Sequence, residues 1–243
     1  MKKLIVANHK MNLDAKKINV YIKLMQSKAN YSNVLVCPTS IYVPFFLKNK
    51  FKVGIQNVYF KNEGAYTGEI SAHQAKSVGV SAVIIGHSER REHFNETNEI
   101  INKKIISVID NGLSVILCVG EKETSKKKLK FIEKQLTEAL DNVHNLDKLV
   151  VAYEPVWSIG TNITPTNEEI IESVDLIKSI LKDKYGYQNI PVLYGGSVNK
   201  ENISTLEKIS VIDGYLIGGA SLKDEFFEIV EFINNNYENS SSN

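Results

Sequence analysis

This chain has no apolar stretch near the roughly 20 residues needed to cross a bilayer, which excludes a helical membrane span. It has only two cysteines, too few for a disulfide framework. Each closes an apolar run, Cys37 after 34–36 and Cys118 after 115–117, so both are expected as buried thiols. Neither sign of charge dominates. The 29 Lys+Arg against 28 Asp+Glu leave a net +1, which argues against a dedicated nucleic-acid face but not against a local anion pocket. Met1-Lys2-Lys3 runs straight into Leu4-Ile5-Val6-Ala7, too short for a signal-peptide core, so the cytoplasm is the expected compartment. The five histidines, His9, His73, His87, His93 and His144, show no metal-ligand spacing. No cofactor motif is evident either, so neither a metal nor a cofactor is expected.

What the chain does contain is repetition of one unit. Short runs rich in Val and Ile are expected as strands at Leu4–Asn8, Val34–Cys37, Val53–Gln56, Ala82–Gly86, Ser114–Val119, Leu149–Tyr153, Pro191–Tyr194 and Gly214–Ile217. They do not alternate polar with apolar, as suits parallel strands covered on both faces. Amphipathic helical patterns lie between them: Ile101, Ile105 and Val108 share one face, as do Ile170, Val174, Ile177 and Leu181, and near the end Phe226, Val230 and Ile233. Asn167, followed by Glu168 and Glu169, is expected to cap one helix, and Asn111-Gly112 to end another. Eight such units in 243 residues predict a (β/α)8 barrel of parallel strands, for which about 250 residues is typical. The alternative, a doubly wound open sheet, would carry a glycine-rich turn after its first strand, where this chain has Asn8-His9-Lys10-Met11-Asn12. No composition break divides residues 1–243, so one domain is expected, with a loose tail from about 236 to 243.

Polar residues gather where the expected strands finish, and in a closed barrel those ends share one mouth. Asn8 and Lys10 follow the first strand, His87-Ser88-Glu89-Arg90-Arg91 the fourth, and Glu154-Pro155 the sixth. Tyr194-Gly195-Gly196-Ser197 ends the seventh and Ile217-Gly218-Gly219-Ala220-Ser221 the eighth. Proline has no N–H to give a ladder, so Glu154 must close its strand. Singly, each has an ordinary explanation: Glu154 a cap or surface ion pair, His87 a hydrogen-bonded structural histidine, Lys10 a solvated charge, the arginines ion pairs, the glycines turns. The glycine pairs are more specific, because the loops after strands seven and eight are the usual phosphate site of such barrels. There backbone N–H groups can hold a dianion without arginine.

Taken in order, Asn8-His9-Lys10-Met11-Asn12, Ile85-Gly86-His87-Ser88-Glu89-Arg90-Arg91, Tyr153-Glu154-Pro155-Val156-Trp157, Tyr194-Gly195-Gly196-Ser197-Val198 and Asp213 through Ser221 resemble the triosephosphate isomerase family. The similarity runs from Leu4 to about Ile233 and includes Gln56-Asn57-Val58-Tyr59 and Gly64 through Ser71. It implies interconversion of dihydroxyacetone phosphate and D-glyceraldehyde 3-phosphate through an enediolate, the step shared by glycolysis and gluconeogenesis. Under the resemblance Glu154 is the base, and His87 the neutral donor that polarises the carbonyl. Lys10 is the fixed cation, and Asn8 orients the substrate oxygens. Backbone donors of Gly160, Ser197, Gly218 and Gly219 match the phosphate site. Glu89 is assigned to positioning Lys10 or its loop, and Cys118 to packing.

The resemblance further implies a homodimer in which the Tyr59–Ser71 loop plugs into the partner and carries Thr67 to the other subunit's site. Pro155-Val156-Trp157 matches the first hinge of a mobile lid. The chain departs from the family in that lid: the usual Ala-Ile-Gly-Thr-Gly-Lys-Thr is here Ser158-Ile159-Gly160-Thr161-Asn162-Ile163-Thr164, then Pro165. Asn162 can take a left-handed conformation in place of glycine, whereas Ile163 and Pro165 change the second hinge. The lid is expected to close, with altered opening kinetics. Ala7 and His9 replace the family's usual Gly and Trp, and His9 is expected to pack beside its loop. Competing expectations are another phosphate-binding barrel, an epimerase or a Schiff-base aldolase, and a non-catalytic or altered-lid phosphate-binding barrel.

Overall fold

The computed structural model describes residues 2–28, 31–125, 127–161 and 163–240. Among the described residues there are eight strands: β1 (Leu4–Asn8), β2 (Val34–Cys37), β3 (Gly54–Ile55), β4 (Ala82–Ile85), β5 (Ser114–Val119), β6 (Leu149–Tyr153), β7 (Val192–Tyr194) and β8 (Gly214–Ile217). Helices α1 (Ala15–Ser27), α2 (Val43–Lys48) and α3 (Ala72–Ser77) follow the first three strands, and α4 (Ser88–His93) and α5 (Asn98–Asp110) follow β4. After β5 to β8 come α6 (Lys128–Ala139), α7 (Asn167–Tyr185), α8 (Ile203–Leu206) and α9 (Glu225–Ser240).

All strand pairs are parallel, in the order β2-β1-β8-β7-β6-β5-β4-β3. The ends of that row meet through one parallel bridge, Val36 to Val53, where Val36 N–H donates to Lys52 O at 3.0 Å. The seam between β2 and β3 is therefore the thinnest in the (β/α)8 barrel, and β3 is shorter than the expected Val53–Gln56 because Val53 only bridges.

Residues alternate between two apolar surroundings, which explains why the strands show no polar face. Val6, Leu35, Cys37, Ile84, Ile116, Cys118 and Leu193 fill the barrel interior. Their neighbours, such as Ile5, Ala7, Val83 and Val151, face the helices. The interior packs tightly: a Cβ on Gly54 would fall 2.6 Å from Cys37 Sγ. Both cysteines are free and buried.

The expected apolar faces of α5, α7 and α9 are all buried. The cap of α7 is Thr166 rather than Asn167: Thr166 Oγ1 accepts from Glu169 N–H (3.2 Å), and the Glu169 carboxylate accepts from Thr166 N–H (2.9 Å). That reciprocal pair satisfies two donors at once and so outcompetes a cap one residue later. Asn111 and Gly112 close α5 as expected. Helix α9 runs through Ser240, past about 236 where a loose tail was expected to begin, and residues 241–243 of that expected tail lie outside the described residues. Lys2 holds the helix, pairing with Glu238 at 3.1 Å and lying 5.9 Å from the Tyr237 ring centre. Among the described residues no helix is long and apolar enough to cross a membrane.

Candidate active site

The ladder between β5 and β6 runs one rung past the strand end, with Glu154 N–H donating to Val119 O at 2.8 Å. Gly120 makes room for it, since a Cβ there would overlap Glu154 O at 1.7 Å. Pro155 then turns the chain away, leaving the Glu154 side chain 2% exposed at the mouth of the barrel. A carboxylate so buried needs donors. Glu154 Oε2 accepts from Ser88 N–H (3.0 Å) at the start of α4, and Oε1 lies 3.0 Å from His87 Nε2 and 3.5 Å from Ser88 Oγ.

His87 caps α4, its Nδ1 accepting the N–H of Glu89 at 3.3 Å. With that lone pair engaged, the ring proton belongs on Nε2, where it points at Glu154. The arrangement is a neutral imidazole donating to a carboxylate.

Lys10 has an unusual backbone for a side-chain-bearing residue, φ 51°. Its N–H donates to Asn8 Oδ1 (3.0 Å), and its carbonyl accepts from Thr39 Oγ1 (3.1 Å) and Gln56 Nε2 (2.8 Å). These bonds hold the strained turn that aims the ammonium at Glu89 Oε1, 2.5 Å away. Burial raises the Glu89 carboxyl, but the Lys10 hydrogen bond and the charges of His87, Lys10 and His93 outweigh it, and the net shift is downward.

One cavity of about 420 Å³ collects these groups. Asn8, Lys10, His87 and Glu154 line it together with Gly160, Ser197, Gly218 and Gly219, so residues from five strand ends meet. A Cβ on Gly218 would sit 3.1 Å from Lys10 Cε, so a larger residue there would push on the lysine stem. The last turn before Gly160, Val156–Ser158, is tied to the β7 loop by Ser197 Oγ donating to Ser158 O at 3.4 Å. Asn162 lies outside the described residues. Further along the same segment, Ile163 is exposed and Pro165 buried.

Thr67 does not join this cavity. It is exposed on a loop closed at its base by the Tyr59–Ser71 bridge and by Tyr59 N–H donating to Ile70 O (2.8 Å). His9 turns inward, fully buried and edge-on to Tyr21 and Phe46, with ring centres 4.8 and 5.8 Å away. Cys118 packs inside the barrel. Burial, and then the Glu154 charge, push its thiol well up.

Ser88 and Glu121 were missed by sequence reasoning. Ser88 was only a letter in a motif, although a residue opening a helix beside a candidate histidine offers a free N–H. Glu121 lies two residues past the end of β5 and is buried. Its Oε1 accepts from Trp157 Nε1 (2.8 Å) and Tyr153 OH (3.0 Å), fastening the segment after Glu154 to the barrel. Burial pushes the Glu121 carboxyl up, against the pull of the Trp157 and Tyr153 hydrogen bonds. A polar residue just past a barrel strand was the available signal. Ile159, Leu216 and Lys223 also line the cavity without having been singled out.

Fold and site together define a (β/α)8 barrel with a carboxylate–imidazole pair set beside a glycine-rich cradle. A family model described as Triosephosphate isomerase matches residues 3–233. Among curated relatives, Triosephosphate isomerase of Dictyoglomus thermophilum is 43% identical over 241 residues, covering 93% of this chain and 97% of its own. That of Alkaliphilus oremlandii is 38% identical over 246 residues, 95% and 99% of the two chains, and that of Zygosaccharomyces bailii 42% over 207, 81% and 84%. The chain belongs to the triosephosphate isomerase family.

Proposed function

We propose that this chain interconverts dihydroxyacetone phosphate and D-glyceraldehyde 3-phosphate, as an aldose–ketose isomerase acting through an enediolate. The observation that carries the reading is the 3.0 Å contact of His87 Nε2 with Glu154 Oε1 inside a cavity lined by Lys10 and the glycine loops. The reaction moves one proton between adjacent carbons and changes no net oxidation state. It therefore needs a base for carbon, a donor for oxygen and a clamp for phosphate.

Glu154 is the base. Its carboxylate rests on Ser88 N–H, and it exchanges that donor for the substrate's C–H when the triose enters. His87, with its proton on Nε2, turns that donor from Glu154 to the carbonyl oxygen, where negative charge grows as the enediolate forms. It then passes the proton between the two oxygens while Glu154 returns its own to the neighbouring carbon. Lys10 supplies fixed positive charge to the same oxygens, held in place by Glu89, and Asn8 orients them. Backbone N–H groups of Gly160, Ser197, Gly218 and Gly219 take the phosphate. Closure of the lid from Pro155 to about Thr164 excludes water, strengthening each electrostatic contact and keeping the enediolate from expelling phosphate.

The whole chain works as one barrel domain, with neither metal nor cofactor, and as a homodimer in the cytoplasm. Support for the dimer is the exposure of Met11 (92%), next to Lys10, and of Tyr66, beside Thr67 on the 59–71 loop. Light scattering should give twice the 27.3 kDa chain mass. Free buried thiols fit a reducing compartment.

A coupled isomerase assay on the purified protein tests the activity. Glu154→Gln should lower kcat on the order of a thousandfold while inorganic phosphate still inhibits. A loss below about tenfold would remove Glu154 from the reaction. Borohydride trapping of substrate on Lys10 would instead indicate an aldolase, and phosphate binding without turnover a silent barrel.

A further inference from the structure

Glu154 also lines a second and much smaller space of about 10 Å³, which shares no other lining residue with the substrate cavity. That is close to the size of a single water site. Glu154, Ser88 and Cys118 reach it from one side, and Arg91 of α4 lines it as well. The Arg91 guanidinium is held by three neutral acceptors: Nε donates to Gly86 O (2.7 Å), one terminal nitrogen to Asn98 Oδ1 (2.6 Å) and the other to Cys118 O (3.2 Å). Those acceptors come from the end of β4, the start of α5 and the end of β5. Among the described residues no carboxylate lies in ion-pair range of it. Its neighbour Arg90, in contrast, pairs with Glu96 at 2.5 Å. A half-buried guanidinium gripped only by dipoles has no carboxylate bonded to it, and it shares the wall of the small chamber with Glu154.

We propose that Arg91 is a positioning residue for the isomerisation. It ties the ends of β4 and β5 together beside His87 and Ser88, and its charge, at the wall of a chamber that Glu154 also lines, favours the carboxylate form of the base in a buried site. The inference rests on Glu154 being that base. Other titratable groups around the two residues cannot substitute for this charge. His87 presents a neutral Nε2–H, Cys118 a buried thiol, and Glu96 is engaged by Arg90 and Lys104. Lys10 is taken by Glu89 at 2.5 Å. Lys122 also lines the chamber but is exposed, so water screens it. Burial lowers the Arg91 guanidinium's affinity for its proton, and the Glu154 and Glu96 carboxylates oppose that shift.

The test is the pH profile of kcat between about pH 5 and 8 for the wild type, Arg91→Gln, Arg91→Lys and Lys122→Gln. Removing a full charge from the wall of the chamber that Glu154 also lines should move the acid limb of Arg91→Gln upward by about one pH unit. Inhibition by inorganic phosphate should change less than about twofold, because the phosphate cradle lies elsewhere. Arg91→Lys keeps the charge but loses the three-way grip, so its kcat should fall with the limb unmoved, and Lys122→Gln should leave both unchanged. A folded Arg91→Gln protein with a wild-type limb would overturn the proposal. If that variant does not fold, Arg91→Lys decides: a limb displaced by a full unit there would show that lost packing, not lost charge, controls the base. Failure of the underlying reading looks different, since Glu154→Gln would then retain activity whatever Arg91 does.

Discussion

The sharpest thermodynamic prediction concerns His9. Its ring is fully buried between Tyr21 and Phe46, and neither ring nitrogen has a hydrogen-bond partner. Burial among aromatics penalises the imidazolium and lowers the pKa from 6.5 to about 4. As pH falls below 6.5 the unfolded chain binds a proton at His9 that the folded chain refuses, so stability drops with acid. The loss begins near 6.5, grows by about 1.4 kcal/mol per pH unit and levels off below about 4, giving about 3 kcal/mol in all. Above pH 7 the effect is absent. His9→Phe removes this proton linkage and keeps an aromatic ring in the slot. Urea unfolding of both proteins at fixed protein concentration, from pH 7.5 to 4, should show the variant's relative stability rising by about 3 kcal/mol. That corresponds to a midpoint shift on the order of 1 M. Groups common to both proteins cancel in the difference. A difference that stays constant within about 0.5 kcal/mol across the range would refute the reasoning, because a ring nitrogen would then have to be hydrated or paired in the fold.

Four further outcomes follow from the geometry. Glu121→Leu leaves the Trp157 indole and Tyr153 hydroxyl without an acceptor, so thermal unfolding should report a loss of about 3 kcal/mol. An unchanged melting temperature would show that both donors find water. Gly120→Ala puts a methyl into Glu154 O and should cost at least about 3 kcal/mol or prevent folding, which a soluble variant with wild-type kcat would contradict. Glu89→Gln should change stability by less than about 1 kcal/mol, since the pair with Lys10 is half exposed. Its kcat should nonetheless fall because Lys10 loses its aim, and equal kcat would separate the two residues. The Ile163 and Pro165 lid should still close, so methylglyoxal should be a minor product and turnover should slow with solvent viscosity. Abundant methylglyoxal would mean that closure fails.

Much of the architecture was legible because it is written in local pattern. β1, β2, β5, β6 and β8 have the bounds their Val- and Ile-rich runs implied, and the apolar faces of α5, α7 and α9 are the buried ones. What escaped depends on contacts between segments. β3 shrank to two residues because its length depends on how the barrel closes against β2, which no single run records. Thr166 displaced Asn167 as a cap through a bond with a residue three positions on, a signal present but outweighed by the glutamates beside it. The candidate site was legible as strand-end punctuation, so Asn8, Lys10, His87 and Glu154 could be named in advance. Ser88 and Glu121 carried only weak local signals, since they act by hydrogen bonds to residues 66 and 36 positions away. His9 was foreseen as packing, but its two stranded nitrogens become visible only once Tyr21 and Phe46 surround it.

The single bridge between Val36 and Val53 leaves the barrel with one stave hooped far more loosely than the rest. Thermal breathing should start there, and deuterium should enter the backbone of β3 ahead of β5 or β6. The 59–71 loop springs from just beyond that joint. A second subunit gripping the loop would act as a clasp across the gap, so resistance to unfolding would climb with protein concentration.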